Sequence, residues 1–319
     1  MTEKKAEGKI EKFARLCRAA VPEGITLLET DGALPLRENE SVAMFGRGQF
    51  EYVKSGTGSG GRVNCDYVTT IEGELKKRVR LFEESRAYYA DYIEKHPFDT
   101  GGGWQALPSQ KQPVPPEELV LRAAKACEKA IFVLCRTCGE GYDAKAVKGD
   151  WYLSCEEEET IALLTKHFKH VIVLVNGGNQ IDLNWIKKYS VGTAALIWQG
   201  GQEGGAGTAD MLMGDVPPSG RMIDTAVKNI ETHPAAGHFG DSVKNVHTED
   251  IYVGYRYYET FAQDEVLYPF GYGLSYTTFE RQTISAEKNG DEITLKIRVK
   301  NTGGYAGKDV VQAYFSYPE

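Results

Sequence analysis

The chain has 319 residues, 41% of them hydrophobic, which is enough for a full core and exceeds one typical domain. A net charge of -8 with no long Lys/Arg run excludes the basic footprint that a nucleic acid or an anionic membrane demands, and it favours a neutral or cationic ligand. No apolar run is long enough for a membrane span and Met1 to Gly8 lacks a signal-peptide core, so a soluble cytoplasmic protein without a membrane partner is expected.

Ile10, Phe13, Ala14, Cys17, Ala20 and Val21 recur at helical spacing and predict an amphipathic helix over 4–21 that covers a core face. Ile25 to Leu28 and Ser41 to Phe45 read as buried strands, with a turn at Asp31-Gly32 between them. Residues 66–93 are mostly helix-forming. The stretch 96–116 is rich in Gly, Gln and Pro, and its length suits a lid or a subunit contact, which leaves a homo-oligomer open. Pro115-Pro116-Glu117-Glu118 then starts another helix, because proline fits the first turn and acids favour the positive dipole end.

Ile131 to Leu134 reads as a short buried strand, and the loop that follows carries Glu140 between two glycines. Open α/β sheets keep their chemistry at this end of a strand. Gly139 and Gly141 permit a tight or positive-φ backbone, so the carboxylate can project from the loop tip and suits proton transfer. An ordinary solvated loop glutamate has the same local signature. Ser154 is an N-cap for a helix whose first turn holds Glu156 to Glu159, so that acidic run serves the dipole rather than a cation.

Val171 to Val175 and Ala194 to Trp198 are further strands, each closed by a glycine-rich loop. The alternation predicts an α/β fold, a mainly parallel sheet with helices on both faces. Residues 214–221 form a turn. From Ile251 aromatics dominate, as in an ordered connecting segment that packs rings across an interface, or an aromatic core edge. Beyond Phe279 the period becomes two, with Ile293, Leu295, Ile297 and Val299 on one side and a further strand at Val310 to Phe315. This is a partial β-sandwich, with about three strands where a complete one needs roughly seven. The expected division is 1–245 for the α/β sandwich, 246–280 for the connecting segment and 281–319 for the β-sandwich piece.

Gly56, Gly58 and Gly61 satisfy G-x-G-x-x-G, but ten residues, Gly46 to Ser55, separate Phe45 from the first of them. A dinucleotide fingerprint requires the glycine almost at the strand end, so no nucleotide cofactor is expected. A surface loop, or one that brings its backbone to a polar ligand, fits better. The six cysteines do not make a disulfide scaffold in a chain of this size. Cys135 and Cys138 with His167 and His170 would have to converge to hold zinc, yet they belong to a strand end and a helix end, and no metal is expected.

The chain resembles the family 3 glycoside hydrolases, which include many bacterial β-glucosidases. The likeness is carried by NGGNQIDLNW from Asn176, WQGGQEGGAGTADMLMGDVPPSGR from Trp198, and IYVGYRYYET with YPFGYGLSYTTFE up to Glu280. KSGTGSGG at Lys54 to Gly61, CGEGYDAKAVKGD at Cys138 to Asp150 and EGITLLETDGALPL are also similar to family loops. The resemblance implies the acid/base half of a retaining β-glycosidase, with the G-E-G-Y motif making Glu140 the acid/base. It further implies a missing (β/α)8 barrel, in cis or in trans, that bears the aspartate nucleophile, in a permuted order of sandwich, fibronectin type III-like domain and barrel. A β-linked glycoside or oligosaccharide is the implied ligand, with Tyr142 to stack on a sugar ring, Asp143 to accept its hydroxyls, and Lys54 and Ser55 as further contacts. A loop aromatic and a turn-stabilising Asp remain alternatives for the first two. Ala144 stands where the family commonly has arginine, and Cys138 where serine is frequent. A non-catalytic carbohydrate-binding or assembly module that kept the fold is the competing functional reading.

Overall fold

The computed structural model describes residues 3–58, 61, 63–99, 111–240 and 243–315, with side chains from residue 10 onward. Its centre is a six-stranded sheet of β1 (Thr26–Glu29), β2 (Ser41–Phe45), β3 (Arg80–Leu81), β4 (Lys129–Arg136), β5 (His170–Gly177) and β6 (Thr193–Leu196). The spatial order is β1-β6-β5-β4-β2-β3, with every pair parallel except β1 against β6. Alternation along β4 explains why the sheet is covered twice. Ala130, Phe132 and Leu134 enter one core cluster, while Ile131, Val133 and Cys135 enter the other.

Seven helices among the described residues clothe these faces: α1 (Glu3–Gly24), α2 (Ile71–Leu75), α3 (Glu83–Lys95), α4 (Glu117–Ala126), α5 (Cys155–His167), α6 (Asn184–Lys188) and α7 (Gly204–Met213). Helices α3 to α6 pack on the first cluster, and α1, α2 and α7 on the second. The sheet expected from the alternating strands is therefore present. The region 66–93 is two short helices interrupted by β3, and β4 is longer than its apolar run because Lys129 and Arg136 also pair in the ladder. Most of the candidate lid falls on residues 100–110, which lie outside the described residues.

Helix α1 departs from expectation. Ile10 and Phe13 are 62% and 64% exposed, so the helix covers the core only near its carboxyl end, where Val21 is buried. There the small residues of α7 admit it closely, and Arg18 makes a bidentate bond to Asp210, 2.6 Å on each arm. No helix among the described residues is long and apolar enough to cross a membrane.

Beyond α7 the chain forms β7 (Ala226–Val227), α8 (Tyr255–Phe261) and β8 (Val266–Tyr268), with β7 and β8 antiparallel. The aromatic segment folds back onto the sheet: Tyr272 donates to the Leu28 carbonyl at 3.1 Å and Tyr276 to that of Met211 at 2.9 Å. An antiparallel hairpin follows, β9 (Phe279–Asn289) and β10 (Glu292–Asn301). Residues 310–315, expected as a third strand, join no ladder among the described residues. A strand exists through its neighbour's hydrogen bonds, and among the described residues none pairs with this segment; the hairpin's apolar side chains Leu295 and Val299 are exposed.

Candidate active site

Loops after β2, β4, β5 and β6 leave the carboxyl edge of the sheet together, and two buried polar groups hold them there. Asn176, at the end of β5, is fully buried. Its Oδ1 accepts the Val53 amide at 2.7 Å, and its Nδ2 donates to the carbonyls of Val53 at 3.0 Å and Trp198 at 2.5 Å. Arg136, at the end of β4, forks onto Glu157 at 2.5 and 2.6 Å and donates through Nε to the Asp150 carbonyl at 3.0 Å. Glu157 also closes a capping box with Ser154 at the start of α5, so the acidic run is spent on the helix and the arginine.

Between these anchors stands Glu140, exposed at the tip of the β4 loop. Only one of its two glycine neighbours works as foreseen. Gly141 has φ +79° and supplies the turn, whereas Gly139 lies flush against Thr57 in a parallel bridge that joins the β4 loop to the β2 loop. The glycine-rich stretch is thus part of the site, not the lead-in to a helix: α2 begins only at Ile71.

Glu140 lines a cavity of about 860 Å³, within the range of small-molecule sites. Gly56, Thr57, Tyr142, Asp143 and Trp151 share its wall on one side, and Asp224, Thr225, Glu231, His233 and Tyr258 form the other. Tyr142 and Asp143 are therefore gathered with Glu140. Lys54 and Ser55 do not line this cavity; Lys54 Nζ bonds the Val63 carbonyl at 2.5 Å and lies 3.0 Å from Cys65 Sγ, and Ser55 Oγ donates to Gly61 O at 2.6 Å.

The far wall was missed from sequence. Its signal was the aromatic run that contains Tyr258, which reads as a connecting segment or an aromatic core edge; the Tyr258 ring lies 6.3 Å, centroid to centroid, from that of His233, which pairs with Glu249 at 3.4 Å. Burial drives the Tyr258 phenol up to about 12, so it stays a neutral hydroxyl. The Thr225 hydroxyl and Gln180 Oε1, both on residues that line the cavity, are buried without a hydrogen-bond partner among the described residues. The described lining holds Glu140, Asp143, Asp224 and Glu231 and no Lys or Arg, which disfavours an anionic guest and admits a neutral or cationic one.

The C-x-x-C and H-x-x-H pairs do not meet. His167 bonds Glu117 at 2.8 Å and His170 bonds Asp31 at 2.7 Å, while Cys135 is buried and its thiol pushed up to about 12. Among the described residues no three His, Cys, Asp or Glu side chains form a metal-holding group.

Comparison with known proteins decides the family. The Glycosyl hydrolase family 3 C-terminal domain model matches residues 25–276, most of the chain. The chain belongs to glycosyl hydrolase family 3. It is 42% identical over 300 residues to a β-glucosidase of Ruminococcus albus and 34% identical over 355 to β-glucosidase A of Butyrivibrio fibrisolvens, covering 93% and 97% of this chain. Among solved structures, a β-glucosidase from Paenibacillus barengoltzii superposes with a TM-score of 0.89 at 41% identity. β-Glucosidase 3B from Thermotoga neapolitana, in complex with glucose, gives 0.87 at 39%; each covers 93% of this chain. The chain spans only 31% and 42% of the two curated relatives, and 33% and 43% of the two structures.

Proposed function

We propose that this family 3 chain is the acid/base half of a retaining β-glucosidase, with Glu140 as proton donor and, in the second step, base. The observation that carries the reading is the placement of an exposed carboxylate on a braced loop at the sheet's carboxyl edge, in the wall of a sugar-sized cavity. Retaining hydrolysis requires a second carboxyl about 5 Å away, one to attack the anomeric carbon while the other protonates the departing oxygen. A family (β/α)8 barrel, in cis after a permuted domain order or in trans, would bring that aspartate against the open side of Glu140. Its charge, and the exclusion of water as the two halves close, would raise the Glu140 pKa so that the acid is protonated when it must donate. The aglycone then leaves beside Tyr142, Asp143 and Trp151, where rings and acceptors suit a neutral β-glucoside.

In a polypeptide that joins the chain to such a barrel, Glu140→Gln should lower kcat/KM for cellobiose by about 10²- to 10⁴-fold, the usual worth of general-acid assistance. Unchanged turnover of cellobiose would end the assignment.

A further inference from the structure

The glycine-rich loop after β2 packs directly against Glu140. Thr57 N donates to the Cys138 carbonyl at 2.8 Å, Glu140 N donates to the Thr57 carbonyl at 3.2 Å, and Thr57 Oγ1 reaches the same Cys138 carbonyl at 3.3 Å. These bonds lead up to the acid: one lies two residues before it, and the next is made by its own N–H. Gly58 follows with φ +115°, and its Cα faces the glutamate side chain directly. A Cβ at residue 58 would stand 2.7 Å from Glu140 Cβ and 3.0 Å from its Oε2. The loop closes on itself beyond that point, with Gly61 N donating to Gly58 O at 3.2 Å and Ser55 Oγ to Gly61 O.

Resting on the assignment of Glu140 as the acid, we propose that Thr57 and Gly58 are positioning residues, a backbone clamp that fixes the height of the Glu140 carboxylate above the cavity. The glycine at residue 58 is thereby explained without a phosphate or a nucleotide. A backbone ladder resists displacement better than a side-chain contact does, because moving Glu140 sideways breaks the hydrogen bond of its own N–H together with that of the Thr57 N–H. Ordinary carbon contacts lie at about 3.5 to 4.0 Å, so an added methyl at residue 58 must push the Glu140 stem by about 1 Å. A displacement of that size at a reacting group costs on the order of 10²-fold in rate.

The test compares two leaving groups in the barrel-joined enzyme. A dinitrophenolate departs without a proton, whereas methanol from methyl β-glucoside does not. Gly58→Ala should lower kcat/KM for the methyl glucoside about 10²-fold, and leave the dinitrophenyl glucoside within about threefold. Thr57→Val should shift the same ratio in the same direction by less, and Thr57→Ser should restore it. In the 319-residue chain itself, Gly58→Ala should move the Glu140 amide resonance and speed its hydrogen exchange. Parallel loss on both substrates, no loss on either, or an unmoved Glu140 resonance in a folded Gly58→Ala protein would each overturn the clamp. Glu140→Gln separates the two ideas. If it shows the leaving-group split and Gly58→Ala and Thr57→Val do not, the clamp alone fails; if it shows none, the acid assignment and the clamp fall together.

Discussion

Replacing Asn176 with alanine removes the hinge-pin of the site. The side chain is fully buried and satisfies three backbone groups on two other loops: both polar atoms of Val53 and the Trp198 carbonyl. Alanine leaves one N–H and two C=O groups without their partner, in a place where Val53 itself is 7% exposed. A buried unpaired group costs about 1–3 kcal/mol, and a carbonyl, with a second lone pair and looser needs, sits at the lower end. Summed conservatively, Asn176→Ala should destabilise the protein by about 3–5 kcal/mol. Spread over a domain of this size, that corresponds to a fall in Tm of roughly 10 °C. Because Val53 precedes the Lys54 to Gly58 loop, its amide should also exchange faster than the global unfolding rate allows. Thermal and guanidinium unfolding measure the first effect and hydrogen exchange the second. A loss below about 1 kcal/mol, or a large loss with Val53 still protected, would refute the idea that this one amide fastens the loops to each other.

Arg136→Met strands the buried Glu157 carboxylate and should cost about 3–5 kcal/mol by chemical denaturation; a neutral outcome would mean that the pair is solvated. Ser154→Ala removes half of the capping box and should cost about 1 kcal/mol in the same assay. Hydrogen bonds from Lys188 and then Lys148 hold the Glu158 carboxyl down to about 2. Its folded pKa is thus below the unfolded value, so its contribution is complete above about pH 4.3 and is lost as the pH falls toward 2. Glu158→Gln should flatten the acid limb of a stability-versus-pH curve in that window, and an unchanged limb would show the ion pairs to be idle.

Five of the six strands were legible because they are short apolar runs, a pattern that survives without knowledge of neighbours; β3 was not, being only Arg80 and Leu81 within a stretch that reads as helix-forming. The position of Glu140 followed from the strand pattern, since its loop leaves β4 directly at the edge where the cavity forms; Tyr142 and Asp143 came from the resemblance, and both line the same cavity. Helix α7 was not legible, since GGAGTADMLM has poor intrinsic propensity and is helical through burial against α1 and the sheet. The exposed stripe of α1 shows the converse, periodicity without a covering surface among the described residues. Lys54 and Ser55 illustrate a limit of motif reading, which finds the loop correctly but does not tell residues that face the cavity from those that hold the loop's shape. The far wall was hidden because Asp224 and Tyr258 are distant in sequence from Glu140 and meet it only through the return of the chain after α7.

Azide offers the most direct probe of whether Glu140 is the acid/base. In the barrel-joined enzyme, Glu140→Ala removes both the proton donor and the negative charge that would repel an anion, while the glycosyl-enzyme formed with an aspartate can still be attacked. Azide should therefore accelerate turnover of 2,4-dinitrophenyl β-glucoside by this variant and yield β-glucosyl azide, the retained anomer. No acceleration, or the α anomer as product, would contradict the account.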